Sequence, residues 1–246
     1  MTGLGTVINV VAIVVGAGLG AVLGDRLPKR WRELLVSSLA LFLLAMGVYQ
    51  AMQAFTGEFA AAAGGAATII VLGALVVGSG LGSLLDIEAG LDRLGANLQR
   101  RFAKDATAAG GSAFATGFVT ATLLFVVGPM AVLGSFADGV QGDPGILAVK
   151  SILDGVMSLA FAASLGWGVG LSAVPVLLYQ GGLTALASVL SAVMVPAVVG
   201  SLTAVGGVLI LAISVRLLEL REIAVANLLP ALPLAPVATA VYLALA

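Results

Sequence analysis

The sequence predicts an all-α integral membrane protein of about eight transmembrane helices, some broken by glycine or proline, with an amphipathic helix in the cytoplasmic interface. Three observations carry this reading: composition, the length of the apolar runs, and the placement of charge. Of 246 residues, 61% are hydrophobic and 9% charged, with a mean hydropathy of +1.18. Ordinary soluble domains are about 45–50% apolar and about 25% charged. Eleven basic and twelve acidic residues cannot clothe a water-soluble surface of this size, so the bilayer is the solvent. The absence of histidine and cysteine excludes a zinc site, a disulfide, haem ligation by histidine, a Ser-His-Asp triad and a thiol nucleophile. A net charge of −1 leaves no basic face for nucleic acid. No cofactor is expected, and residues 1–246 read as a single polytopic transmembrane domain.

A helix needs about 20 mainly apolar residues to cross the hydrocarbon core. Eight stretches qualify: 4–24, 34–54, 66–85, 112–136, 144–166, 169–191, 200–218 and 223–245. The runs are continuous rather than alternating, which excludes a barrel. The first run has no basic residues before it and meets a basic loop at once, so it reads as a retained helix and not a cleaved signal. The second is followed by acidic Glu58. The third leads into the one long loop. There Ile87, Leu91, Leu94, Leu98 and Phe102 recur at helical spacing, with Arg93, Arg100, Arg101 and Lys104 off the stripe. This predicts an interfacial helix over about 86–105, drawn to anionic lipid. The fourth run is interrupted by Gly128-Pro129, and the fifth opens with Asp143-Pro144 as cap and first helical residue. From Val169 to Leu218 the chain is apolar throughout, broken by Pro175, Gly181-Gly182, Pro196 and Gly200. That length is too great for one span and awkward for two, so one helix there is expected to be broken or re-entrant. The eighth run holds Pro230, Pro233 and Pro236, a spacing that predicts the strongest backbone break in the chain.

Charge sets the orientation. Arg26, Lys29, Arg30 and Arg32 occupy the first loop, Arg93, Arg100, Arg101 and Lys104 the third, and Arg216 and Arg221 the seventh. The alternate loops carry Glu58, Asp138 and Asp143. The positive-inside rule makes the basic loops cytoplasmic and puts both termini of an eight-span chain outside. Residues 14–23 and 76–85 are identical at seven of ten positions, with Asp25 and Asp86 following each segment. A duplicated unit or convergent glycine packing would each produce this pattern. Gly16, Gly20 and Gly24 share one helix face, as do Gly78 and Gly82, and such faces let membrane helices pack closely, within one chain or across a homo-oligomer.

The residues that are costly in lipid point to function. In the fifth span Lys150 and Asp154 are four apart and share a face. Asp154 lies about 15 Å in, near the midplane. An ionisable residue at that depth costs at least about 2.5–3.5 kcal/mol and marks a pathway or a binding site, here with a monovalent cation expected at Asp154. A structural pair, with Lys150 reaching to the interface, is the alternative. Gln180, next to Tyr179 and before Gly181-Gly182, is again near mid-depth. Gly128 and Pro129 would free backbone groups to hold an ion, and Ser135 follows that break. Asn227 and Pro230 mark the eighth span. Asn9 and Gln50 lie nearer the outer ends of the first and second spans, as interhelical hydrogen-bonding groups.

These same residues carry a resemblance. Thr120–Ser135, Lys150–Gly155, Val176–Gly181 and Val225–Ala231, together with Gly5–Asn9 and Leu85–Glu88, resemble the YqgA/YdfK-like bacterial inner-membrane family, a family of unknown function (number 554). The resemblance spans essentially the whole chain. It implies a multi-pass protein of the bacterial cytoplasmic membrane, and the loose description of a sodium channel or pump attaches to the family. It implies no site residues.

Broken helices meeting polar groups near one depth are the recurring construction of secondary transporters. The expectation is therefore transport of an ion or small polar solute. An ion channel using the same groups, or a structural or regulatory membrane protein without flux, are the alternatives. An enzyme is not expected: Ser151 stands next in sequence to Lys150 and points away from it and from Asp154, so no nucleophile–base pair assembles.

Overall fold

The computed structural model describes residues 2–24, 26–102, 108–190 and 194–245. Asp25, Lys104 and the end of the expected interfacial helix lie outside the described residues. Among those described, every regular element is helical. Seven helices are long and apolar enough to cross a membrane, and a bent pair makes an eighth when it is counted as one span.

The helices are α1 (Leu4–Gly24), α2 (Lys29–Ala51), α3 (Gly57–Ala63), α4 (Ala66–Leu84), α5 (Ile87–Phe102), α6 (Ala108–Val127), α7 (Pro129–Phe136), α8 (Gly145–Leu165), α9 (Ala173–Leu190), α10 (Pro196–Leu217) and α11 (Ala231–Leu245). Short turns at Met52–Ala54, Trp167–Ser172 and Val225–Leu228 join some of them. Eight runs were expected, and each corresponds to one of these helices or to a pair. The run 112–136 is the bent pair: α6 stops before Gly128, α7 starts at Pro129, and the axes differ by 55°. Proline at a first helical position loses nothing, because its missing N–H would have had no intrahelical acceptor.

The apolar stretch from Val169 is resolved as two helices, α9 and α10, with Pro196 opening α10. Pro175 lies within the first turn of α9 and Gly181-Gly182 are helical, so neither breaks it. The triple proline also behaves differently from the expectation. Pro230 does precede α11, but Pro233 and Pro236 lie inside it. Pro233 falls in the first turn, where N–H groups are unpaired anyway. Pro236 removes a single bond from a helix that is otherwise continuous. Among the described residues the sharp break within a span is Gly128-Pro129.

The described residues divide into two compact units interleaved along the chain: 1–39, 89–126 and 130–188 in one, and 40–88, 127–129 and 189–246 in the other. In the first unit α1 runs beside α8 in the same direction. Gly16 faces Gly155, Gly20 faces Leu159 and Gly24 faces Ala163, so close that a β-carbon on any of the three would strike α8 backbone. Lipid is as apolar as leucine, so close van der Waals packing rather than the hydrophobic effect holds such a pair. The outward faces are apolar: Val7, Val11, Val14 and Val22 on α1, and Ile152, Leu153 and Val156 on α8, are exposed.

In the second unit Gly78 and Gly82 of α4 face Ala231 and Asn227, so here the partner α11 and the turn before it run in the opposite direction. α10 lies antiparallel to the C-terminal half of α2, with Gly47 against Gly207 and Leu211, and Ser214 Oγ donating to the Ala40 carbonyl at 2.5 Å. Both glycine ladders are thus packing faces within this one chain. The repeated segment does not bring a repeated partner arrangement with it, since one ladder packs parallel and the other antiparallel.

Candidate functional site

The first unit gathers its polar side chains between α1, α8 and α9. Asp154 sits nine residues into α8 and Gln180 seven residues into α9. Lys150, one turn before Asp154, forms an ion pair with Asp154 Oδ2. Asn9 of α1 donates through Nδ2 to the same Oδ2 at 3.0 Å and to Gln180 Oε1 at 3.2 Å. Asn9 and Gln180 are fully buried, and Lys150 and Asp154 are 4% and 7% exposed. The ammonium of Lys150 also lies 5.8 Å from the centre of the Phe125 ring of α6, within cation–π range. Lys150 does not reach to the interface; the ion pair holds it inside. Helical side chains lean toward the helix N-terminus, so Asp154 turns back toward Lys150 and Asn9.

The chemistry orders this tetrad. A carboxylate only accepts, so Asn9 must present its NH₂ to Asp154. Its two protons go to Asp154 and Gln180, which makes Gln180 present its carbonyl. Two amide atoms are then left over: Asn9 Oδ1 and Gln180 Nε2 are buried without a partner. They are not isolated. Thr6 Oγ1, Thr122 Oγ1, Ser135 Oγ, Ser158 Oγ and Thr184 Oγ1 are buried and unpartnered as well. All belong to the same unit. Ser158 continues the face of Lys150 and Asp154, Thr184 that of Gln180, Thr6 that of Asn9, and Thr122 that of Phe125. Each such group costs about 1–3 kcal/mol, and folded proteins keep few of them. These groups lie along the same helix faces that carry the tetrad.

Two further acids use their oxygens differently from Asp154. Asp138, fully buried, accepts from Gly3 N–H (3.1 Å) on Oδ1 and from Gly5 N–H (3.0 Å) on Oδ2. It caps the start of α1 and matches the helix dipole there. Glu88, at the start of α5, pairs with Arg216 through Oε1 and accepts the Ala226 N–H through Oε2 at 2.7 Å, while its own N–H donates to Asn227 Oδ1 at 2.9 Å. Both oxygens of each are engaged. Both recorded bonds to Asp154 fall on Oδ2, and its Oδ1 has no partner among the described residues.

Four of the sequence-predicted residues, Asn9, Lys150, Asp154 and Gln180, thus meet. Ser135 is fully buried on α7 in the same unit. Tyr179 is half-buried and about 100° round α9 from Gln180. Asn227 and Pro230 belong to the second unit, where Asn227 serves Glu88 rather than Asp154, and Gly128 and Pro129 group with that unit too. Gln50 is buried with its Oε1 unpartnered, so the expected interhelical bond through that atom is not made. Ser151 donates to the Leu147 carbonyl at 2.6 Å. Among the described residues no three acids come together as a metal cluster. Sequence reasoning did not single out Asp138 as buried or Glu88 as partly buried. The signal available for Asp138 was its place after the only run broken by Gly-Pro, where the chain must turn back within the protein.

Comparison with known proteins agrees with the architecture. The chain is 31% identical over 232 residues to the uncharacterized protein YqgA of Escherichia coli (strain K12), covering 94% of each chain. It is 27% identical over 233 residues to the uncharacterized membrane protein YdfK of Bacillus subtilis (strain 168), covering 95% of this chain and 94% of the relative. No solved structure matches. A family model described as "Protein of unknown function (DUF554)" matches residues 4–240. A multi-pass helical membrane protein whose family match runs almost from end to end, this chain belongs to the DUF554 family.

Proposed function

We propose that this protein is a membrane transporter of an ion or small polar solute, with the Asn9–Lys150–Asp154–Gln180 tetrad as its transport site. One observation carries the reading: a charged pair and two amides are bonded together deep among membrane-spanning helices, with polar valences left open. Intramembrane ionisable groups are expensive and are kept where they bind or conduct. A cation or cargo ammonium arriving at Asp154 Oδ1 shares the carboxylate with Lys150 on Oδ2 and weakens that pair, which gives the site a loaded and an unloaded arrangement. Alternating between two states is what transport requires. The basic loops would face the cytoplasm of a bacterial inner membrane, with both termini outside.

The test is flux in proteoliposomes containing the full chain, using labelled sodium and a panel of labelled amino acids. Asp154→Asn should abolish flux. It also strands Lys150, and breaking one side of a buried pair costs about 3–5 kcal/mol, so a second variant separates function from folding. Replacing both partners, Lys150→Met with Asp154→Leu, removes both charges together, and its cost should be limited to the Asn9 side-chain N–H left without its acceptor, about 1–3 kcal/mol, so the chain should still fold. Flux should still be lost. Native flux in that double variant would remove the tetrad from the transport path.

A further inference from the structure

The open valences of the tetrad differ in kind, and the difference selects a ligand. Asp154 Oδ1 and Asn9 Oδ1 are acceptors without a donor. Gln180 Nε2 is a donor without an acceptor. The amide orientations that leave these atoms open follow from the carboxylate, as shown above, and neither amide can turn over without setting like groups against each other. Lys150 spends one proton on Asp154, and its ammonium lies over Phe125. The pair is electrically neutral, no three acids gather there among the described residues, and the buried Asp138 near the start of α1 is taken up by the Gly3 and Gly5 N–H groups. A lone sodium ion would bring a charge that the site does not balance. A lone anion would do the same. A molecule that carries both charges brings its own compensation.

We infer that the site binds a small zwitterion of the amino-acid class, its ammonium donating to Asp154 Oδ1 and Asn9 Oδ1 and its carboxylate accepting from Gln180 Nε2. This rests on reading the tetrad as the transport site and names the class of its cargo. The ammonium would join Lys150 on the Asp154 carboxylate, one to each oxygen. The carboxylate would meet the Gln180 amide and stand within the field of the Lys150 ammonium. The hydroxyls of Ser158, Thr122 and Thr184, buried and unpartnered on the adjoining faces, suit a polar side chain or a hydroxyl on the ligand and would favour small polar amino acids over large apolar ones.

The experiment is thermal unfolding of the purified full chain in detergent, with each of the common amino acids added singly. Sodium chloride, potassium chloride, methylammonium chloride and sodium acetate serve as single-charge probes. A ligand bound only by the folded state raises its apparent stability. At a hundredfold excess over Kd the midpoint should rise by on the order of 5–10 °C. The expected result is such a rise with at least one small amino acid and none with the four salts. Gln180→Leu, which removes the donor and leaves the ion pair intact, should abolish the rise without losing the folded baseline. Asp154→Asn should abolish it too. A rise with sodium alone would overturn the zwitterion and leave the transport reading standing. A rise with an amino acid that persists unchanged in Gln180→Leu would overturn the assignment of the carboxylate contact. An amino-acid rise lost in the variants, with no flux of that amino acid in proteoliposomes, would support the binding site and overturn the transport reading.

Discussion

Asp138 and Asp154 are buried acids of the same unit, yet their oxygens are used differently. Asp138 spends one on Gly3 and one on Gly5, and so fastens the start of α1. Asp138→Ala should cost about 0.5–2 kcal/mol, the range for a lost helix cap, read as a lower unfolding midpoint with flux kept in the surviving folded protein. Asp154 spends a single oxygen on two donors and keeps the other. This distinction was half legible beforehand. A charge or an amide inside an apolar run stands out in any sequence, so Lys150, Asp154 and Gln180 could be chosen without coordinates. That Asn9 bridges Asp154 and Gln180, more than 140 positions away, is fixed by α1 lying along α8. Asp138 and Glu88 were hidden for the opposite reason: they stand near helix ends, where acids are ordinary, and only the approach of a distant backbone encloses Asp138 and partly buries Glu88.

Helix by helix, glycines separate into those that touch a neighbour and those that do not. A β-carbon at position 20 would lie 2.9 Å from Leu159 Cα and still nearer its carbonyl, whereas one at position 73 would meet nothing within 4 Å. Gly20→Ala should therefore push α1 off α8 and destabilise by about 1–3 kcal/mol, the cost of overpacking. Gly73→Ala should leave stability unchanged or raise it by up to about 1 kcal/mol through helix propensity. Thermal unfolding of the two variants in parallel checks both outcomes. The spacing of Gly16, Gly20 and Gly24 announced a close-packed face, but it did not name the partner. Proline was the less reliable sign. A Pro in a first turn, such as Pro175 or Pro233, costs no hydrogen bond, and the sequence alone does not say which turn is first. Gly128-Pro129 was legible because glycine adds freedom at the residue just before the one where proline lacks a donor.

Across the whole chain, the alternation of basic and acidic loops is a statement about sidedness that can be checked directly. The protein has no cysteine, so single introduced thiols report cleanly. Lys29→Cys and Glu58→Cys both fall at exposed positions. In intact cells an impermeant thiol reagent should modify Glu58→Cys and spare Lys29→Cys, and in inverted vesicles the pattern should reverse. Equal labelling from one side would refute the loop assignment. The number of spans is a subtler matter, since a 55° bend between α6 and α7 suits a re-entrant hairpin as well as a full passage. The companionship of α1 and α8 decides it. Two neighbours pointing the same way through one bilayer must be separated by an odd number of passages. The α2 and α4 helices supply two, so the crooked segment has to supply the third and emerge on the far side. The kink is thus a bent doorpost and not a turnstile: the chain goes through it, and the fifth passage enters from the side where the first began.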